Sequence, residues 1–296
     1  MAEPQSAAHA TRDRLVVVLG LTVAVLVVEV IGGYLSNSLA LLADAGHMFT
    51  DVAGISLALL AIWMAERPAD RNRTFGYLRL EILAAVVNAV LLFGVAAFVL
   101  YEAWRRLSEP PEIASGLMLV VALVGLAANG VSLLLLRDGQ RLSLNMRGAY
   151  LEVVGDFAGS AAVIIAALVI AATGWTTADA LASVLIGLLI LPRTWRLLRD
   201  AVDVLLEATP KGLDMGQVRS HILEAPGVSD VHDLHAWTIT SGMNVVSAHV
   251  VLDEGADPPA VLDHLCRCLS GIFDIEHSTF QLEARDRRRI EEVSHA

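Results

Sequence analysis

Asp44-Ala45-Gly46-His47-Met48-Phe49-Thr50-Asp51 is the stretch that decides the fold, because it sets ionisable residues inside a run otherwise apolar enough to lie in a bilayer. His47 and Asp51 are four residues apart, and helical i, i+4 spacing stacks them on one face. Charge at that depth is costly and is kept where it has a use. A later apolar run repeats the arrangement with Glu152 and Asp156. The two pairs read as halves of one metal site.

The composition around this stretch agrees with a membrane setting. The chain has 296 residues, 55% of them hydrophobic, and a mean hydropathy of +0.61, too apolar for an ordinary soluble domain. The net charge of −11 is uneven, since from Ala208 onward 14 acidic residues face seven basic ones. An acidic soluble part argues against a nucleic-acid partner, which needs a basic footprint, and suits cations. Cys266 and Cys268 are two apart on an expected helix and point to different faces. That excludes a disulfide framework and fits a reducing compartment. The polar start lacks a cleavable signal: the first apolar run has no small-residue cleavage site and is followed by more spans.

Six spans can be drawn, each needing roughly 20 residues to cross about 30 Å of hydrocarbon. They run from about Leu15 to Tyr34, Leu39 to Ala65, Ile82 to Tyr101, Ile113 to Leu136, Arg147 to Ala171 and Thr177 to Leu198, with Pro192 expected to kink the last. Twelve arginines lie at one set of span ends and only Arg105 and Arg106 at the other. The positive-inside rule then puts both termini in the cytoplasm of a multi-pass cell-membrane protein. After Pro210 the pattern becomes helix, strand, strand, helix, strand, a small two-layer α+β domain. The expected organisation is a cytosolic tail over 1–14, a six-helix transport domain over 15–207, a cytosolic αββαβ domain over 208–284 and a charged tail over 285–296.

His47, Asp51, Glu152 and Asp156 are four ligand-type side chains within the spans. The competing account is four buried polar residues, each satisfied by a neighbouring helix. Two i, i+4 pairs on different helices weigh against it, because partnered charges in lipid mark a pathway. Two helix faces with two ligands each supply four donors to one ion, the shell Zn²⁺ accepts. Only deprotonated ligands bind metal, so metal and protons compete for the site. If it opens to one side at a time, that competition is metal–proton antiport. Asp44, one turn before His47, reads as a supporting or structural residue. Asn88 and Asn129 read as interhelical hydrogen-bonding residues, and Glu29 as another such residue or as facing water.

These residues resemble the cation diffusion facilitator family of metal transporters. Ser38 to Asp51 is similar to its second-span motif, Phe75-Gly76-Tyr77 and Arg79 to Ala85 to its third-span start, and Tyr150 to Asp156 to its fifth-span motif. Val231 to Trp237, Ser247 to Val250 and His277 to Glu283 resemble its soluble part. The resemblance covers about Leu15 to Glu283. It implies six spans, a cytosolic ferredoxin-like domain, a homodimer in the lipid bilayer, and export of Zn²⁺ or a related ion against protons. It also implies regulatory metal on some of His232, His235, His249, His277 and Glu283, against the alternative of structural histidines bonded within the sheet.

Two departures from the family pattern matter. Zinc-type members usually have His, or sometimes Asp, where this chain has Glu152, so the expected set is one nitrogen and three carboxylates. Harder ligands improve the case for Co²⁺, Fe²⁺, Mn²⁺ or Cd²⁺ as main substrate. Some relatives carry histidines between spans two and three, where this chain has Arg73, Tyr77 and Leu78. Cys266 and Cys268 beside His264 are either further ligands or small buried residues. Arg79 with Asp203 or Glu207 is a candidate charge interlock steadying the dimer, with solvated charges as the alternative. Two other functions compete with transport. One is a membrane-anchored metal sensor, in which Glu152 and Asp156 would have no use. The other is an intramembrane metal hydrolase, for which there is no HExxH-type motif and no open ligand position.

Overall fold

The computed structural model describes residues 4–65, 67–137, 144–275 and 277–284. The charged tail expected over 285–296 lies outside them. The element order is α1 (Pro4–Ser36), α2 (Leu39–Ala65), α3 (Leu80–Ser108), α4 (Ser115–Leu136), α5 (Leu144–Thr173), α6 (Thr177–Leu205), α7 (Met215–Leu223), β1 (Val228–Thr240), β2 (Met243–Leu252), α8 (Pro258–Phe273) and β3 (His277–Glu283). These form two units, one of residues 1–57 and 87–198, the other of residues 58–86 and 199–296.

Among the described residues, five helices are long and apolar enough to cross a membrane: Val17–Ser36 within α1, then α3, α4, Ala149–Thr173 within α5, and α6. α2 has 27 residues and carries Asp44, His47 and Asp51. Two boundaries differ from the hydropathy reading. α1 begins at Pro4 rather than near Leu15, since apolarity marks only the lipid-crossing part and the preceding alanine-rich residues are good helix formers. α3 continues past Tyr101 to Ser108, its last turns held by Glu102 pairing with Arg105 at 2.7 Å and Arg106 at 3.2 Å. α6 runs on through Pro192 as one helix.

In the first unit, α4 packs on α5 and on α1. The core joins Ala40, Leu41 and Ala43 of α2 to Leu92 and Val99 of α3, Met118 and Ala122 of α4, Ala166 and Ala167 of α5, and Ile186 and Ile190 of α6. Small residues let helices approach closely where lipid gives no hydrophobic drive for them to associate. At Gly32 an added Cβ would lie 2.5 Å from Val121, so α1 meets α4 there only because the residue is glycine.

The start of α2 is fixed by a residue of another helix. Buried Asp179 of α6 accepts from the Ser38 hydroxyl at 2.6 Å, from Leu39 N–H at 2.7 Å and from Ala40 N–H at 3.2 Å. Helix starts carry unpaired N–H donors and partial positive charge, and a carboxylate there answers both. The Arg106 guanidinium lies 3.6 Å from the same carboxylate and also donates to the carbonyl of Asn37 at 2.6 Å. Asn37 turns the chain between α1 and α2 with φ of 57°, a left-handed conformation that Asn tolerates.

In the second unit, β1–β2–β3 form a sheet in that order, antiparallel between β1 and β2 and parallel between β2 and β3. Val218 and Ile222 of α7 and Val261, Leu265 and Leu269 of α8 join the sheet residues Val231, Val246 and Val250 in one core. Asp214 caps α7 by accepting from Gly216 and Gln217. Thr240 and Ser241, at the β1–β2 turn, both donate to Glu81. Arg79 pairs with Glu207 at 2.9 Å, whereas Asp203 lies 3.9 Å from Arg199.

Replacing Asp179 by Ala leaves the first N–H groups of α2 buried without an acceptor. Caps of this kind stabilise by about 0.5–2 kcal/mol, and a buried one belongs at the upper end. The apparent unfolding midpoint of the detergent-purified protein should fall by several degrees, roughly in line with that loss, with Asp179→Asn intermediate.

Candidate metal centres

The first centre lies between α2 and α5, within the first unit. His47 Nε2 is 3.5 Å from Asp51 Oδ2 and 3.8 Å from Asp156 Oδ1. One ligand atom from each of His47, Asp51 and Asp156 falls within 4.8 Å of the other two. The helical i, i+4 repeat of α2 aligns the first two, and α5 brings in the third. His47 Nδ1 and Asp156 Oδ1 are buried without a hydrogen-bond partner among the described residues. Unsatisfied polar atoms are expensive in an apolar bundle, and Asp156 Oδ1, which faces His47 Nε2, is the kind of open oxygen donor a cation site uses.

Glu152 is not in that trio. It stands one turn before Asp156 on α5 and pairs with Arg193 of α6. The sequence reading counted Arg193 only as a topology charge. The signal available was a cation directly after Pro192, the first of three arginines on α6.

A second layer of acid residues lies behind the trio. Glu29 is fully buried rather than facing water, and neither of its carboxylate oxygens has a partner among the described residues. Asp44 is buried, bonds the Ser160 side chain and leaves Oδ2 unpartnered. Asn129 donates to the Ser160 hydroxyl at 3.4 Å. Two glycines make the room: an added Cβ at Gly125 would lie 2.6 Å from Glu29 Oε1, and one at Gly159 would lie 2.7 Å from Asp44 Oδ1. Asn88 packs against Gly54, but its Oδ1 has no partner among the described residues, so the interhelical bond expected of it is not seen on that atom.

The second centre lies on the sheet of the second unit. Buried Glu283 receives His232 Nε2 at 3.2 Å on one oxygen and His249 Nδ1 at 3.0 Å on the other. His232 and His249 are directly cross-strand, with ring centroids 5.0 Å apart. The parallel register puts Glu283 opposite Val251, two residues along β2 from His249. These three also offer ligand atoms within 4.8 Å of one another.

His235 and His277, from the same sequence group, are exposed and lie outside that trio. His232 stands opposite His249, whereas His235 stands opposite Ser247, further along the ladder. The register shift between them falls at Asp233, with φ of 47°. His277 instead meets Phe75 edge-on at 6.0 Å. Cys266 accepts from Ser278 at 3.6 Å. Burial pushes the Cys268 thiol up.

Residues 15–206 match the cation efflux transmembrane domain, and residues 210–285 match the cytoplasmic domain of cation efflux proteins. The chain belongs to the cation efflux, or cation diffusion facilitator, family. It is 50% identical over 270 residues to the metal cation efflux system protein CzcD of Cupriavidus metallidurans, covering 91% of this chain and 85% of that one. It is 44% identical over 272 residues to the zinc transporter ZitB of Escherichia coli, covering 91% and 87%. It is 42% identical over 263 residues to a cadmium, cobalt and zinc/H(+)-K(+) antiporter of Bacillus velezensis, covering 87% and 84%.

The two centres should titrate separately. Glu283→Ala removes the carboxylate that both cytosolic histidines share, and zinc titration of the purified protein should lose one site per chain. Asp51→Ala should remove a different site, and the double substitution should remove both.

Proposed function

We propose that this protein is a secondary-active transporter that exports Zn²⁺ from the cytoplasm in exchange for protons. The observation that carries this reading is the convergence of His47, Asp51 and Asp156 inside an apolar helical bundle. Glu152 completes the shell as a fourth ligand when metal is bound. A membrane-anchored sensor would have no use for ligands at that depth. Hydrolysis would need an open position for water, and four ligands leave none. The names of the relatives support the same class: a metal cation efflux protein, a zinc transporter and a cadmium, cobalt and zinc antiporter. Co²⁺, Fe²⁺ and Mn²⁺ are alternative substrates because three of the four ligands are hard carboxylates, and Cd²⁺ is another because the Bacillus velezensis relative is named for it.

In this reading α2 also crosses the membrane, giving six spans, both termini are cytoplasmic and the working unit is a homodimer in the cell membrane. Protons and the divalent ion compete for the same carboxylates and imidazole, and this competition couples their opposed movements. The His232, His249 and Glu283 centre takes regulatory metal. It supplies three donors, so water or a partner protomer fills the remaining position of a tetrahedral shell.

Flux into sealed proteoliposomes tests the proposal. Wild-type protein should accumulate Zn²⁺ when a proton gradient of the opposite direction is imposed, and uptake should collapse when the gradient is dissipated. Asp51→Ala should reduce uptake to the level of the background leak. Zn²⁺ flux indifferent to the gradient would rule out antiport, and uptake by Asp51→Ala equal to wild type would rule out the site. The same assay across Zn²⁺, Co²⁺, Mn²⁺ and Cd²⁺ ranks the substrates.

A further inference from the structure

The cation that Glu152 holds belongs to the protein itself. Arg193 of α6 pairs with the carboxylate that would otherwise be a metal ligand. Glu152 and Asp156 are i, i+4 neighbours on α5, on one face, so Glu152 stands one helical turn from a residue of the cluster. Side-chain exposure falls along the series, from 48% at Arg193 and 38% at Glu152 to 19% at Asp51, 11% at His47 and 6% at Asp156. The ion pair therefore forms the wet lip of the centre and the other three residues lead inward. The Arg193 charge also acts electrostatically on His47, Asp51 and Asp156.

Charge counting gives this pair a purpose. Three carboxylates and one guanidinium leave the empty centre at −2 with neutral His47. A divalent ion then brings it to zero. Without Arg193 the centre would be at −3 when empty and −1 when loaded, so the fixed cation stabilises the empty centre more than the loaded one and lowers metal affinity. Arginine does not lose its proton in proteins, so it is a fixed counter-charge.

We propose that Arg193 is a tethered cation that Glu152 exchanges for the transported metal. This rests on the reading of His47, Asp51, Glu152 and Asp156 as the transport ligands. In the empty centre Glu152 is held by the guanidinium. When metal arrives, the carboxylate leaves Arg193 and becomes the fourth ligand. The freed guanidinium, close to the bound ion, then favours the ion's departure and recaptures Glu152. No bond other than the metal–ligand contacts forms or breaks, and no proton moves in this exchange. Arg193 is thus a positioning residue that acts on the metal through Glu152. A half-exposed ion pair is weak enough to be traded in each cycle. Its effect is to lower affinity and to speed release.

Transport kinetics of the full-length protein in proteoliposomes, with Zn²⁺ as the probe, test the exchange. Arg193→Gln should lower KM about fivefold, the scale of a half-exposed ion pair, and lower kcat as release slows. Arg193→Lys keeps the charge and should lie between the two. In a Glu152→Gln background the change at Arg193 should no longer lower KM, because there is no carboxylate to release. Glu152→His removes one negative charge, leaving the loaded centre at +1, and should impair transport. Adding Arg193→Gln restores neutrality and should recover it, a gain that a misfolded protein cannot give.

The exchange is overturned if Arg193→Gln raises KM or leaves both constants unchanged. It is also overturned if the KM effect persists without Glu152, or if Glu152→His with Arg193→Gln recovers nothing over Glu152→His alone. Asp51→Ala run alongside separates the two claims. Uptake lost in Asp51→Ala with any of those results defeats the exchange alone, whereas uptake retained in Asp51→Ala defeats the ligand reading beneath it.

Discussion

The grip of Asp179 on the first residues of α2 is the interaction on which the transport centre depends. A helix that begins inside an apolar bundle has donors with nowhere to go. One buried carboxylate takes the Ser38 hydroxyl and two backbone N–H groups. With its start pinned, the register of α2 is set, and His47 and Asp51 follow at fixed angles two and three turns along. Arg106 balances Asp179 and ties in the Asn37 turn. A polar cluster of this kind costs desolvation, and what it provides is placement.

The same rule governs the centre itself. At the centre, Glu152 pairs with Arg193, whereas His47, Asp51 and Asp156 converge on one another. Here the pair is the more exposed part and the converging trio the more buried. That ordering lets the solvent-side pair exchange partners without disturbing the packed interior, where Ala- and Gly-rich contacts leave little slack. Glu29 and Asp44 extend the polar column away from the lip. Gly125 and Gly159 are small because those carboxylates occupy the space a Cβ would take.

Much of this was legible in the sequence because membranes make the code strict. Long apolar runs name the helices, and an acid or histidine in such a run is conspicuous, which is how His47, Asp51 and Asp156 stand out. The αββαβ order was readable from alternation and from Pro258–Pro259 at a helix start. What sequence spacing could not give was contact across helices. Glu152 shares the spacing of its partner Asp156, yet only α6 packed nearby reveals Arg193. Glu29 gave no pattern at all, being a single charge whose facing depends on rotation of α1. In the soluble part His232 and His235 look like one motif, but the strand pairing sets His232 opposite His249 and His235 opposite Ser247.

The central claim is a set of ligands, and the most direct test is to see them around the metal. X-ray absorption spectroscopy of Zn²⁺ bound to full-length Glu283→Ala protein, with the cytosolic centre thus removed, reports the donor atoms of the transport centre. The account requires a four-coordinate ion with one imidazole nitrogen and three carboxylate oxygens, and loss of the imidazole signal in a further His47→Ala substitution. Two or more imidazoles, any sulfur, or an imidazole signal that survives His47→Ala would contradict it.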